Sequence, residues 1–152
     1  MKKIIALLGT IVLFFNLHSL AFAAEETPTI PYFGIGATVQ EKLEGEYVVK
    51  TEGRKEQEGF VYTPPKSFSK ENIKFQITIK GKGTVLLKLE ETSARGQYLK
   101  EKTMEVELTE DWATYEMTYT LESPSSQIDA SVITKSKENT EFTFKNLQII
   151  EE

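Results

Sequence analysis

The sequence predicts an all-β fold, a β-sandwich of jelly-roll type with about eight antiparallel strands, and three observations carry that prediction. Apolar residues recur at every second position: Ile73, Phe75, Ile77 and Ile79 alternate with Lys74, Gln76, Thr78 and Lys80, so one face of a strand is buried and the other is wet. Turn residues punctuate the chain every ~10–15 residues, at Gly53, Pro64-Pro65, Gly96, Glu110-Asp111, Pro124 and Glu138-Asn139. No stretch of the chain beyond its N-terminus carries a helical period.

Residues 1–23 begin with Lys2 and Lys3, continue with an apolar run from Ile4 to Phe15, and end in Ala21-Phe22-Ala23. This is the pattern of a secretory signal peptide cleaved after Ala23. Asn16, His18 and Ser19 interrupt the run before the roughly 20 apolar residues that a spanning helix needs. The expectation is a secreted protein with no membrane insertion after cleavage. Residues 24–36 hold two prolines and two glycines and read as an N-terminal arm or linker, leaving 37–152 as the sandwich domain. Strands are expected near 45–50, 58–63, 71–80, 98–108, 112–121, 127–135 and 140–150, with Val85, Leu87 and Leu89 on the strand that follows 71–80. Gly81-Lys82-Gly83 reads as the turn of a hairpin. The phase change between Phe144 and Leu147 predicts a bulge at Lys145-Asn146.

Composition narrows the chemistry. The chain of 152 residues has no cysteine, and its one histidine is His18. Cleavage after Ala23 removes Lys2, Lys3 and His18 but no carboxylate, so the net charge moves from −5 to −7. Disulfides, thiol nucleophiles, Cys/His zinc sites and a Ser-His-Asp triad are thereby excluded from the mature chain. An acidic balance without a basic block argues against nucleic acid as a partner. Among enzymes only a carboxylate-pair glycosidase stays open. The adjacent Glu90 and Glu91 point to opposite faces of a strand and cannot be such a pair, and nearly every glutamate falls at a turn or on a polar strand phase, where a solvated carboxylate is expected. No cofactor is expected; the oxygen-rich residue set permits a structural calcium, assembled from backbone carbonyls and scattered Glu or Asp.

Recognition by a surface remains. Aromatic faces stack on sugar rings while amide and charged groups bond hydroxyls. Lys74 and Gln76 on the wet face of their strand have the second kind of chemistry, and Tyr62, Tyr98 and Trp112 are the aromatic candidates. These five are the expected ligand-binding residues. A cleft with two or more exposed aromatics beside Gln76 would favour sugar; a flat face of Lys, Glu and Thr would favour a protein partner.

The segment from Gly45 to Ile149 resembles the carbohydrate-binding modules of the family 4/9/22 type. The likeness rests on Gly45-Glu46-Tyr47-Val48-Val49, on the run from Phe68 to Lys80-Gly81, on Asp111-Trp112 before Thr114-Tyr115-Glu116-Met117, and on Phe142-Thr143-Phe144-Lys145-Asn146-Leu147. The resemblance implies a galactose-binding-like jelly roll and non-catalytic binding of a polysaccharide or cell-surface glycan by one sheet face. The alternative is a structural or protein-interaction sandwich of the cell surface. Two positions depart from the family pattern. Lys145 stands where the closing strand commonly has Asp, which bears on any calcium or hydrogen-bonding role there, and Trp112 is the only tryptophan.

Overall fold

A computed structural model describes residues 30–152, so residues 1–23, the expected signal peptide, and residues 24–29 lie outside the described residues. All regular elements among those residues are strands: β1 (Tyr32–Ile35), β2 (Ala37–Leu43), β3 (Glu46–Thr51), β4 (Gly59–Tyr62), β5 (Asn72–Gly81), β6 (Thr84–Thr92), β7 (Tyr98–Glu107), β8 (Ala113–Thr120), β9 (Gln127–Thr134) and β10 (Glu141–Glu151). They form two five-stranded antiparallel sheets, ordered β1-β4-β9-β6-β7 and β2-β3-β10-β5-β8. The all-β sandwich expected from the alternation is what the chain adopts, with ten strands rather than about eight.

The alternating residues meet between the sheets. Ile73, Phe75, Ile77 and Ile79 of β5 face Val85, Leu87 and Leu89 of β6 and Ala130 and Val132 of β9 across a core closed by Phe142 and Phe144. At one end the rings of Tyr32, Tyr47, Phe60 and Phe144 pack together; Phe60 and Phe144 stack with centroids 4.3 Å apart, and Tyr32 meets Tyr47 edge-on at 4.7 Å. Such contacts add to the burial of the rings themselves.

Three expectations need correction. Gly81-Lys82-Gly83 does not turn a hairpin, because β5 lies in the second sheet and β6 in the first. The turn carries the chain across the sandwich, and its backbone bonds the exit of β7, with Gly81 N–H donating to Thr109 O at 2.8 Å and Leu108 N–H to Gly83 O at 2.8 Å. A strand pair facing one core from opposite layers shows the same alternation as a hairpin with one wet face. The stretch expected as an arm contains β1, an edge strand on β4, and the missed strand β2 follows at once. Both are edge or near-edge strands with few buried residues, so their apolar signal is thin. Finally, two glutamates are wholly buried, Glu58 and Glu91, contrary to the expectation of solvated carboxylates. The bulge is where the phase change put it: the β5–β10 register shifts between Lys145 and Gln148, and Asn146 takes φ 52°.

Candidate functional site

The register places the outward side chains of each sheet in rows. On the second sheet, Gln148, Gln76 and Glu116 lie side by side, and the next rows hold Thr78 with Thr114 and Lys74 with Thr118. Lys74 pairs with Glu116 at 3.7 Å and Glu152 at 3.3 Å, and the two threonine hydroxyls are 2.8 Å apart. The indole of Trp112 lies at the end of the same face under two ammonium groups, Lys80 at 4.6 Å and Lys145 at 4.2 Å from the ring centre. Lys145 also reaches Glu46 at 3.5 Å. This is a face of Lys, Glu and Thr, with one aromatic already engaged by cations.

The five expected residues are not brought together. Lys74, Gln76 and Trp112 share that outer face. Tyr62 points into the sandwich, half-buried, with its ring 5.7 Å from Tyr32. Tyr98 is exposed at the start of β7, on the edge of the other sheet.

A groove of about 400 Å³ opens instead on the outer face of the first sheet. Its rows also follow from register: Phe33, Val61, Ser131, Lys88 and Thr103 run across β1, β4, β9, β6 and β7, and Asp129, Glu90 and Glu101 form the adjacent row. Ile35, Val61 and Ile133 give the groove apolar surface, while Lys88, Glu90, Asp129 and Ser131 supply donors and acceptors beside it. Lys88 is largely buried for a lysine on an outer face, its side chain 16% exposed, and sits 2.8 Å from both Glu90 and Glu101. Burial alone would lower its pKa, but the two carboxylates outweigh that and hold the ammonium above its ordinary value. Asp129 accepts a hydrogen bond from the Thr63 hydroxyl. Phe33, 71% exposed, stands at the edge of the same row.

One wall of the groove is the segment between β3 and β4, which contributes Lys55, Glu56 and Gln57. A ring with apolar C–H faces and a hydroxyl rim fits such a surface, the C–H faces on Ile35, Val61 and Ile133 and the hydroxyls on Lys88, Asp129 and Ser131. Of the groove residues only Glu90 is singled out in the sequence, and there as a carboxylate that cannot pair with Glu91. The one local signal was Tyr32-Phe33-Gly34-Ile35, where Phe33 and Ile35 share a phase. A further depression of about 410 Å³ beside Lys80, Lys82 and Asn139 on the second sheet is bordered by charges that satisfy one another, Lys82 with Glu110 at 2.7 Å and Glu141 with Lys50 at 3.1 Å. Among the described residues no group of three or more Asp, Glu or His could hold a metal ion, and no helix is long and apolar enough to cross a membrane.

The chain is thus a two-sheet jelly roll with a groove across one sheet, and the comparison of its sequence with known families says which jelly roll it is. The family model described as a carbohydrate binding domain, of module families 4 and 9, matches residues 24–141. The chain belongs to this carbohydrate-binding family. No curated protein matches it. Among solved structures it is similar to the family 11 carbohydrate-binding module of a cellulosomal cellulase of Clostridium thermocellum, with TM-score 0.64 and 15% identity over 84% of this chain and 91% of that one. A family 11 module of that organism is also known with a β-1,3-1,4-mixed-linked tetrasaccharide. The xylanase 10B of Clostridium thermocellum, a family 22 module with its catalytic module in complex with xylohexaose, matches with TM-score 0.63 and 15% identity over 80% of this chain and 26% of that one. A family 29 module in complex with cellohexaose matches with TM-score 0.56 and 16% identity over 78% of each chain. At these identities the likeness is one of fold.

Proposed function

We propose that the protein is a secreted, non-catalytic module that binds a polysaccharide or cell-surface glycan in the groove of the first sheet. The observation that carries this reading is the row Phe33-Val61-Ser131-Lys88, which sets apolar contact beside hydrogen-bonding groups in a chain of the carbohydrate-binding family. The family match beginning at residue 24, directly after Ala23, supports the removal of a signal peptide. Glu90 is tied to Lys88 rather than free to act on a glycosidic oxygen, which supports binding without hydrolysis.

Calorimetric titration with xylohexaose, cellohexaose and the mixed-linked tetrasaccharide tests the reading. Binding of at least one is expected, weakened about tenfold or more by Lys88→Ala or Phe33→Ala, with no release of reducing ends. Failure to bind any of them, or binding untouched by both substitutions, would count against the groove. The flat Lys-Glu-Thr face around Gln76 favours a second reading, contact with a protein partner. If sugar binding is instead lost on Gln76→Ala or Trp112→Ala, the second sheet is the sugar face and the groove is not.

A further inference from the structure

The segment from Glu52 to Gln57 walls the groove, yet it has nothing apolar to anchor it. Its side chains are Glu52, Arg54, Lys55, Glu56 and Gln57, all exposed. What ends it is Glu58, wholly buried and with no ion pair among the described residues. The Glu58 carboxylate accepts hydrogen bonds from three consecutive backbone amides, Gly53 at 2.5 Å, Arg54 at 2.9 Å and Lys55 at 3.0 Å. Consecutive N–H groups turned to one point form a concave anion-binding nest, and here the anion belongs to the same loop. Burial alone would raise the pKa of this carboxyl, but the amides of Lys55, Gly53, Arg54 and Glu52 together outweigh it and hold the group below its ordinary value.

The surroundings are shaped for that carboxylate. Gly36 adopts φ +55°, and a Cβ there would come within 2.8 Å of Glu58 Cγ. Gln57 adopts φ 61°, a conformation that a non-glycine residue keeps only when its neighbours over-determine it. They do: Gln57 N–H donates to Thr134 O at 3.1 Å, Glu58 N–H to Thr134 Oγ1 at 3.2 Å, and Thr134 N–H to Glu58 O at 2.8 Å. Gln57, the strained residue, is also one of the groove's lining residues.

Resting on the groove as the glycan site, we propose that Glu58 is its positioning residue: the buried carboxylate gathers the 53–55 amides and so holds Lys55, Glu56 and Gln57 in place as a wall against the bound sugar. Glu58 touches no ligand itself. It acts through the loop, and its removal leaves Lys88, Ser131 and Asp129 where they are.

Two measurements test this. In the wild-type protein, the amide hydrogens of Gly53, Arg54 and Lys55 exchange slowly although their loop is exposed, and they slow further with bound oligosaccharide; exchange at the rate of an unstructured peptide overturns the proposal. In Glu58→Gln, exchange at these three amides speeds up and affinity for the oligosaccharide that the wild type binds falls at least tenfold, whereas amides of β6 and β9 keep their protection. Gly36→Ala, which displaces the carboxylate without removing it, gives the same pair of changes and serves if Glu58→Gln does not fold. Unchanged affinity with a loosened loop overturns the positioning role while leaving the groove intact. A wild-type protein with slow loop amides that binds none of the three oligosaccharides overturns the groove itself.

Discussion

Replacing Glu91 with alanine is expected to destabilise the fold by roughly 3–5 kcal/mol, far more than the same change at its neighbour Glu90. Glu91 is fully buried on the inward phase of β6. One carboxylate oxygen accepts from the Tyr119 hydroxyl at 3.0 Å, the other from the Glu122 N–H at 2.8 Å, and the Lys100 ammonium stands 4.0 Å away. Tyr119 and Glu122 belong to the other side of the sandwich, at and beyond the end of β8, so this carboxylate ties the two sheets together. Alanine would leave the Glu122 N–H without an acceptor and Tyr119 with only a long contact to Lys100 O at 3.4 Å. Each buried donor so stranded costs about 1–3 kcal/mol, and the vacated volume adds to that. Glu90 points outward and is bound to Lys88, a partly exposed pair worth about 1 kcal/mol or less. Thermal unfolding should show a drop of roughly 10–20 °C for Glu91→Ala and only a few degrees for Glu90→Ala, given about 3–5 °C per kcal/mol in a domain of this size. Glu91→Gln keeps the shape but can accept with one atom only, and should fall between. Equal losses at positions 90 and 91 would refute the inter-sheet tie.

Three other outcomes are expected. Phe75→Ala, midway along β5 and wholly buried, should cost about 3–5 kcal/mol in denaturant unfolding, and a neutral result would overturn the assigned face of β5. The carboxyls of Glu58 and Glu151 are held low by backbone N–H groups, which in both outweigh the opposing effect of burial, so their stabilisation is fully present above pH 4.5 and is lost as the pH falls through their lowered values; melting curves from pH 7 to pH 3 should be flat above about 4.5 and decline below it, less steeply in Glu58→Gln. The Lys145 ammonium already holds the place between Glu46 and the Trp112 ring, so melting in excess calcium and in EDTA should agree within about 1 °C, and a clear rise with calcium would reveal a site elsewhere.

The strands were legible because period-two alternation is a local property. Ile73 to Ile79 and Tyr115 to Tyr119 display it without reference to any other part of the chain. Layer assignment is not local: nothing in Gly81-Lys82-Gly83 distinguishes a turn within one sheet from a crossing between two, since both faces of the core ask for the same pattern. Buried charge is harder still. Glu91 looks like any glutamate until Tyr119 and Glu122 arrive from roughly thirty residues away to satisfy it. The groove has the same character, for Val61, Ser131 and Lys88 come to it from three strands and no two are neighbours in the chain. Lys74, Gln76 and Trp112 could be read as a wet face, whereas the choice between two wet faces depended on which depression sets apolar side chains such as Ile35, Val61 and Ile133 beside its polar groups.

The wiring of the sheets bears on when this protein can fold at all. β9 and β10, the last two strands in chain order, hold the middle position of the first and second sheets respectively. Before they arrive, β3 has no bridge to β5, and β4 has none to β6, so each sheet exists only as separate strands or pairs with a missing centre. Pairings of such long sequence separation form slowly. A chain emerging end first would therefore stay open along most of its length and close both layers almost at once, when residues 127–151 become free to enter.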